Sequence, residues 1–273
     1  GLWGVDMRTA LVAASALAVA LAGQAAAADL PVAPAYRAAP IVVPYNWNGY
    51  YIGANVGWSR AQSNVSFAAN PAGFPADAAS INTASQNRLT SNSVTGGAQT
   101  GYNWQWSNLV AGVEADVSFL NNNAQLPAVP LPAPSAPGIS LSETAQLSWL
   151  VTARPRLGYA WDNWLVYVTG GWAIGKVTFT DGVVPTAGAP VGTSTSRTKN
   201  GWTVGGGVEY GLIGGWSAKL EYLYTNLGSV NVVFGPVAVP GAIAANHDLT
   251  DQIVRVGVNY RFGANNEVVV KYP

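Results

Sequence analysis

The chain has no cysteine, one histidine and one methionine in 273 residues. Without cysteine there is no disulfide framework, no lipidated cysteine anchor and no thiol chemistry. A single imidazole with no thiol leaves little from which to build a structural metal site. Charge is scarce as well, at 10% of residues against the ~25% usual for a soluble domain. The 13 basic and 13 acidic residues cancel, so the one-sided field that nucleic acid would need is missing and no nucleic-acid partner is expected. Long apolar runs are nearly absent. A helical membrane protein needs several runs of ~20 apolar residues, and only Ala10 to Ala28 qualifies.

What is present in excess is glycine, 31 residues, and tryptophan, 11. Four aromatic pairs sit eight positions apart: Tyr50 with Trp58, Trp164 with Trp172, Trp202 with Tyr210, and Trp216 with Tyr224. An even spacing puts both members on one face of a β-strand. Eight residues rise roughly 26 Å, or about 20 Å once the strand tilts by ~40° for barrel closure. That approaches the ~25 Å apolar band of an outer-membrane barrel, whose edges are ringed by Trp and Tyr. Each ring has an apolar body and a polar tip, which suits an interface. The pairs read as two aromatic girdles.

The first segment reads as a targeting signal. Met7-Arg8 gives a short positive region, Leu11 to Leu21 an apolar core, and the alanines before Asp29 a small-residue cleavage site,. Residues 1–28 are therefore set apart as upstream residues and a cleaved signal peptide. Residues 29–46 hold the Pro31–Pro44 stretch and read as a Pro-rich periplasmic lead-in. The barrel is expected over 47–262, with a C-terminal extension at 263–273.

From Trp47 the chain alternates short turns and long polar loops. Strand one is Trp47–Ser59, followed by a loop to about Ser93. Strands two (Gly97–Trp106) and three (Leu109–Phe119) meet at Ser107-Asn108, and a second loop carries the Pro-rich Pro127–Gly138, which is expected to stay out of any sheet,. Strands four and five flank Asp162-Asn163, and the third loop runs from about Phe179 to Arg197. Strands six and seven meet across Gly211–Gly215, the fourth loop runs from about Leu227 to Thr250, and strand eight is Val254–Phe262. An even strand count with short turns on one end and long loops on the other is the outer-membrane pattern, and it leaves both termini in the periplasm.

With the girdles outward, Ile52, Ala54, Val56, Val113, Ala115, Val117, Val204, Val208, Leu220, Val254, Val256 and Val258 share the lipid face. The lumen face then receives Asn55, Gln99, Asn103 and Asn259, with nine charges: Glu114, Asp116, Arg154, Arg156, Glu209, Lys219, Glu221, Arg255 and Arg261. Opposite charges in a narrow interior can pair, whereas an unpaired buried charge costs several kcal/mol. Lys176 looks outward, four residues past Trp172, where it can reach lipid phosphates,.

YYIGANVGW, GAQTGYNWQW, TARPRLGYAWDNW, GWTVGGGVEYGL and WSAKLEYLYTNLG follow a DLPV start in this order. This ordered set resembles the small outer-membrane barrels of alphaproteobacteria, a porin-like family that includes abundant surface antigens, from about Asp29 to Phe262. The resemblance implies an all-β fold, an eight-stranded antiparallel transmembrane β-barrel like the membrane domain of OmpA, in a Gram-negative outer membrane. It implies outer-membrane lipid, lipopolysaccharide and the barrel-assembly machinery as partners, and an external ligand at the loops, haem or a host surface. Two departures stand out. Pro155 lies between Arg154 and Arg156, where similar proteins carry a residue able to donate to the ladder. The chain also continues 11 residues past Phe262, where a terminal aromatic is the usual assembly signal.

No catalytic, cofactor-binding or metal-binding residue is expected. Gly170-Gly171 and Gly205-Gly206-Gly207 fall inside strands, so they make room in a narrow barrel and do not cradle phosphate. His247-Asp248, with Ser229 as a conceivable nucleophile, is expected to be a solvated loop pair. The nine lumen charges read as a plugging network, because eight strands enclose an interior that side chains just fill. A small-solute channel with a selectivity ring of Arg154, Arg156, Glu114 and Asp116 is the rival reading, and a local bulge or pairing gap is expected at Pro155.

Overall fold

The computed structural model describes residues 45–70, 82, 87–130, 140–184, 191–234 and 243–263. The targeting segment, residues 29–44 of the lead-in and residues 264–273 of the C-terminal extension lie outside the described residues. Eight antiparallel strands close in sequence order: β1 (Gly49–Ala69), β2 (Asn87–Trp106), β3 (Leu109–Pro130), β4 (Ser140–Trp161), β5 (Trp164–Val184), β6 (Val191–Gly211), β7 (Trp216–Phe234) and β8 (Ile243–Arg261). The β8 strand pairs back onto β1, so the fold is an eight-stranded antiparallel barrel.

Sequence reading located the three short turns. Ser107 and Asp162 start two of them at φ 53° and 50°, a left-handed conformation that short polar side chains tolerate. The asparagine that follows each latches the next strand. Ala160 N donates to Asn108 O at 2.7 Å and Asn108 Nδ2 donates to Ala160 O at 2.8 Å. Asn163 repeats this with Gly211, at 2.7 and 3.2 Å.

The strands are longer than their composition suggested. They run 19 to 22 residues, about twice the 9–11 needed to cross a bilayer. Much of what reads as long loop is strand: β1 and β2 pair out to Val65 and Asn87, β5 and β6 out to Val183 and Val191, and β7 and β8 out to Phe234 and Ile243. The cause is an inversion of polarity along the strands other than β6, whose described residues above Trp202 are polar on both faces. Between the girdles apolar residues face out, as with Ile52, Val56 and Trp58 on β1, while Asn55 and Ser59 face in. Above Trp58 the outward residues become Arg60, Asn64 and Ser66, and Val65 is buried inside. Outside the bilayer a strand needs a wet outer wall and a dry core, so the alternation changes sign.

The upper half is also no longer a closed barrel. Pairing of β2 with β3 stops at Thr95 and Leu120, and pairing of β6 with β7 stops at Trp202 and Asn226, while the other ladders continue. Two four-stranded sheets result, β7-β8-β1-β2 and β3-β4-β5-β6. Each split lies beside a register shift, at Phe119/Asn122 on β3 and at Asn226/Gly228 on β7, where Gly228 takes φ 72°. A bulge bends its strand and leads it away from a neighbour. Apolar side chains fill the space between the sheets, among them Val65, Leu120, Leu147, Val177, Phe179, Leu223, Leu227 and Ile253.

Of the two expectations about proline, the one for the Pro-rich segment is revised and the one for Pro155 is met by a gap. Pro130 pairs with Ser140, so the start of the Pro-rich segment does join the sheet. It can do so because β3 is an edge strand there and the register shifts between Leu126 and Val129, which spares a ladder donor,. At Pro155 there is a pairing gap and no bulge. Val113 faces it regularly on β3, but on the β5 side Ala153↔Trp172 is followed by Arg156↔Thr169 in unchanged register.

Candidate functional site

Among the described residues, charged side chains converge in the interior between the girdles. All nine lumen charges are buried inside the barrel. Register places Glu114 opposite Arg154, Glu209 opposite Lys219 and Glu221 opposite Arg255. Glu114 lies at the centre. It meets Arg154 at 2.7 Å, Lys219 at 3.0 Å and Arg156 at 3.5 Å. Asp116 holds Arg154 and Arg255, both at 2.8 Å. Glu221 holds Arg255 at 2.6 Å and Arg154 at 3.4 Å, and Glu209 holds Arg156 at 2.9 Å. Lys219 passes over its ladder partner Glu209 and reaches across the lumen to Glu114 instead. Each carboxylate therefore meets at least one cation in a medium where an unmatched charge is costly.

Arg261 stands apart from this network. It lies over the Tyr45 ring at 4.9 Å and donates to Asn48 O at 3.1 Å, at the mouth ringed by the short turns. There Tyr45 and Trp47 turn inward as a stopper, packed with Val110, Ala160, Leu165 and Tyr167. Trp47 was counted as the start of strand one, but pairing begins at Gly49. Burial raises the Tyr45 phenol above its ordinary range, so it stays protonated and donates to Gly215 O at 3.0 Å.

Two participants, both tyrosines, were missed. Tyr51 donates to Glu114 at 2.7 Å and Tyr167 donates to Glu221 at 3.0 Å. The Arg156 guanidinium lies between these two rings, 5.6 and 4.2 Å from their centroids. Beneath them Gln99 Nε2 donates to Asn259 Oδ1 at 2.6 Å, and Asn259 Nδ2 donates to Glu209 at 2.7 Å. Parity could have found Tyr51, since its neighbour Tyr50 is a girdle residue and successive side chains alternate.

Seven of the eight girdle residues are exposed and Tyr224 is half-buried. They meet across strands: Trp164 with Tyr210 at 4.7 Å between ring centroids, Trp202 with Tyr224 at 5.6 Å, and Trp172 opposite Trp202 in register. Trp216 meets Tyr260 at 5.1 Å, and Tyr50 stacks on Phe262 at 5.7 Å, which extends the lower ring to the last strand.

His247-Asp248 is not a loop pair. Both lie in β8, where His247 is fully buried against Phe179 at 4.6 Å and Asp248 is exposed on the outer face beside Ser229. Consecutive strand residues point to opposite faces, so the imidazole and the carboxylate are separated by the barrel wall. The chain's single histidine is thus withdrawn from the surface at which an external haem would have to bind.

A family model described as outer membrane protein β-barrel domain matches residues 13–262. The 31 kDa outer-membrane immunogenic protein of Brucella melitensis is 34% identical over 251 residues, covering 91% of this chain and 98% of that relative. The 25 kDa outer-membrane immunogenic protein of Brucella abortus is 26% identical over 262 residues, covering 94% and 100%. Among solved structures, Neisserial surface protein A is 14% identical, with 79% of this chain and 98% of that chain covered and a TM-score of 0.34.

Proposed function

This chain belongs to the outer membrane protein β-barrel domain family and is a protein of the bacterial outer membrane, and from that premise we propose that it is an occluded barrel with a structural and surface-presenting role. The observation that carries the reading is the filled interior. A stopper of Tyr45 and Trp47 lies at the periplasmic mouth, the charge network occupies the membrane level, and an apolar core lies above it. An eight-stranded interior is narrow enough for three successive layers of packed side chains to fill, which supports a closed lumen. The paired sheets above the upper girdle are the part presented to the outside. Relatives named as immunogenic outer-membrane proteins support this. Both termini lie on the periplasmic side in this reading, and the barrel is not an enzyme.

The test is conductance of the full chain refolded into planar bilayers, together with protease added to intact cells. An occluded barrel gives no discrete current steps, and cleavage falls above the upper girdle only. Regular unitary currents would favour the small-solute channel. Cutting at Asp162-Asn163 from outside would reverse the orientation.

A further inference from the structure

Just above the charge network lies a second polar group that the network does not use. Asp251 on β8 is 1% exposed, and its Oδ1 accepts from Ser59 Oγ at 2.6 Å. Ser59 Oγ in turn accepts from Asn122 Nδ2 at 2.6 Å. Three buried atoms beside them have no hydrogen-bond partner: Asp251 Oδ2, Asn122 Oδ1 and Ser63 Oγ. Asp251, Asn122 and Ser63 line one cavity of about 20 Å³, whose other walls include Leu147, Val177 and Leu227.

The chemistry of these atoms is one-sided. All three are oxygens, and two of them can only accept unless the acid is protonated. Asp251 makes no ion pair among the described residues. Its ladder neighbours are Ala61 and Thr225. Arg255 is four residues along β8, roughly 13 Å away along the strand, and is committed to Asp116 and Glu221. Arg261, the one lumen cation outside the network, is ten residues away at the opposite mouth. His247 faces inward four residues in the other direction and packs on Phe179. A buried carboxylate without a counter-ion must find one or become neutral.

We propose that Asp251 Oδ2, Asn122 Oδ1 and Ser63 Oγ hold a small monovalent cation of the sodium class inside the barrel. Hard oxygen donors suit an alkali cation and not a soft transition metal. One formal charge with two neutral oxygens falls short of the carboxylate count that calcium sites use, and a magnesium ion would keep several waters for which the cavity has no room. Space of about 20 Å³ takes one water-sized occupant. A water molecule fits by size but leaves the charge unbalanced, whereas a cation satisfies both the oxygens and the charge. Such an ion ties β1 and β8 of one sheet to β3 of the other, immediately above the level where β2 separates from β3.

The test uses the full chain refolded in detergent micelles at pH 8, with sodium chloride exchanged for choline chloride at constant ionic strength. The thermal unfolding midpoint is expected to rise saturably by several degrees with sodium and not with choline, and the ²³Na resonance is expected to broaden on adding protein. Asp251→Asn should fold and lose both responses. Ser63→Ala should keep the response with half-saturation shifted about tenfold upward, the equivalent of one weak ligand lost. Equal midpoints in the two salts would overturn the site, as would a sodium response retained by Asp251→Asn. A midpoint that moves between pH 5 and pH 8 identically in both salts would also overturn it, by showing that Asp251 takes a proton.

Discussion

Tyr51 on β1 donates its hydroxyl hydrogen to Glu114 on β3 at 2.7 Å, crossing the whole width of β2 to do so. The crossing is possible because Gly101 is Tyr51's ladder neighbour on β2, and a Cβ there would fall 2.5 Å from the phenol oxygen. The opposite wall repeats the device. Tyr167 on β5 crosses Gly207 on β6 to reach Glu221 on β7, and a Cβ on Gly207 would fall 2.8 Å from its hydroxyl. Two tyrosines, each laid over a glycine, thus bring hydroxyls to the two central glutamates.

Tyr51→Phe keeps the ring over Gly101 and removes the hydrogen bond to Glu114 together with the one that Arg156 Nη1 donates to the phenol oxygen at 3.0 Å, each to a charged partner and each costing about 1.5–3 kcal/mol. Gly101→Ala keeps the hydroxyl but pushes the ring, with an overpacking cost of about 1–3 kcal/mol. Urea unfolding of the vesicle-inserted protein measures both. Wild-type midpoints in both variants would mean that the tyrosine fills space without holding the glutamate.

Arg156 joins Glu209 at 2.9 Å and Glu114 at 3.5 Å. Arg156→Ala leaves Glu209 without an ion-pair partner among the described residues and should destabilise by about 3–5 kcal/mol. Adding Glu209→Gln to Arg156→Ala should recover part of that, because the stranded charge is then removed. A double-mutant cycle in urea reads the coupling directly, and a coupling near zero would make the lumen hydrated and the network incidental.

The closed barrel, the turns and the lumen face were legible because between the girdles one rule holds: apolar out, polar in. Tyr50 and Trp58 fixed the outer parity of β1, and every second residue followed. Above Trp58 the same parity persists with its polarity exchanged, so Arg60 to Ser66 looked like loop although it continues the strand. His247 was misplaced for that reason, since it sits on an inward position of a strand that read as loop. The splits beside β3 and β7 left no signal, because a missing ladder is a property of two strands and no single segment displays it. Tyr45 and Trp47 were hidden differently: their inward packing depends on space left by Gly211, where a Cβ would fall 2.3 Å from the Tyr45 ring.

The split has a kinetic signature. On the β6 and β7 sides above Trp202 and Asn226, half of the backbone groups have no strand to bond. Peptides covering Val191–Gly201 and Leu227–Phe234 should therefore exchange amide hydrogen faster than those covering Arg60–Val65, which pair on both sides,. Hydrogen-exchange mass spectrometry in micelles separates the two groups. Equal protection would mean that the barrel is closed to its top in solution.

Pro155 offers the sharpest local test. Its side chain faces outward, and on the β5 side the ladder is interrupted opposite Gly170 and Gly171, then resumes in register. Water cannot take over a missing bond at this depth. Thr169 supplies partial compensation by donating its hydroxyl to Pro155 O at 2.9 Å. Gly171 must remain a glycine, since a Cβ there would fall 2.3 Å from Ala153 O, so the strands are already in close contact and need only a donor. Pro155→Val supplies that donor on a residue suited to strands and to lipid, and should raise stability by about 1 kcal/mol. The urea midpoint in vesicles reports the gain. An unchanged or lower midpoint would mean that the gap is held open by the packing of Arg154 and Arg156 on the inner face and does not arise from the missing N–H.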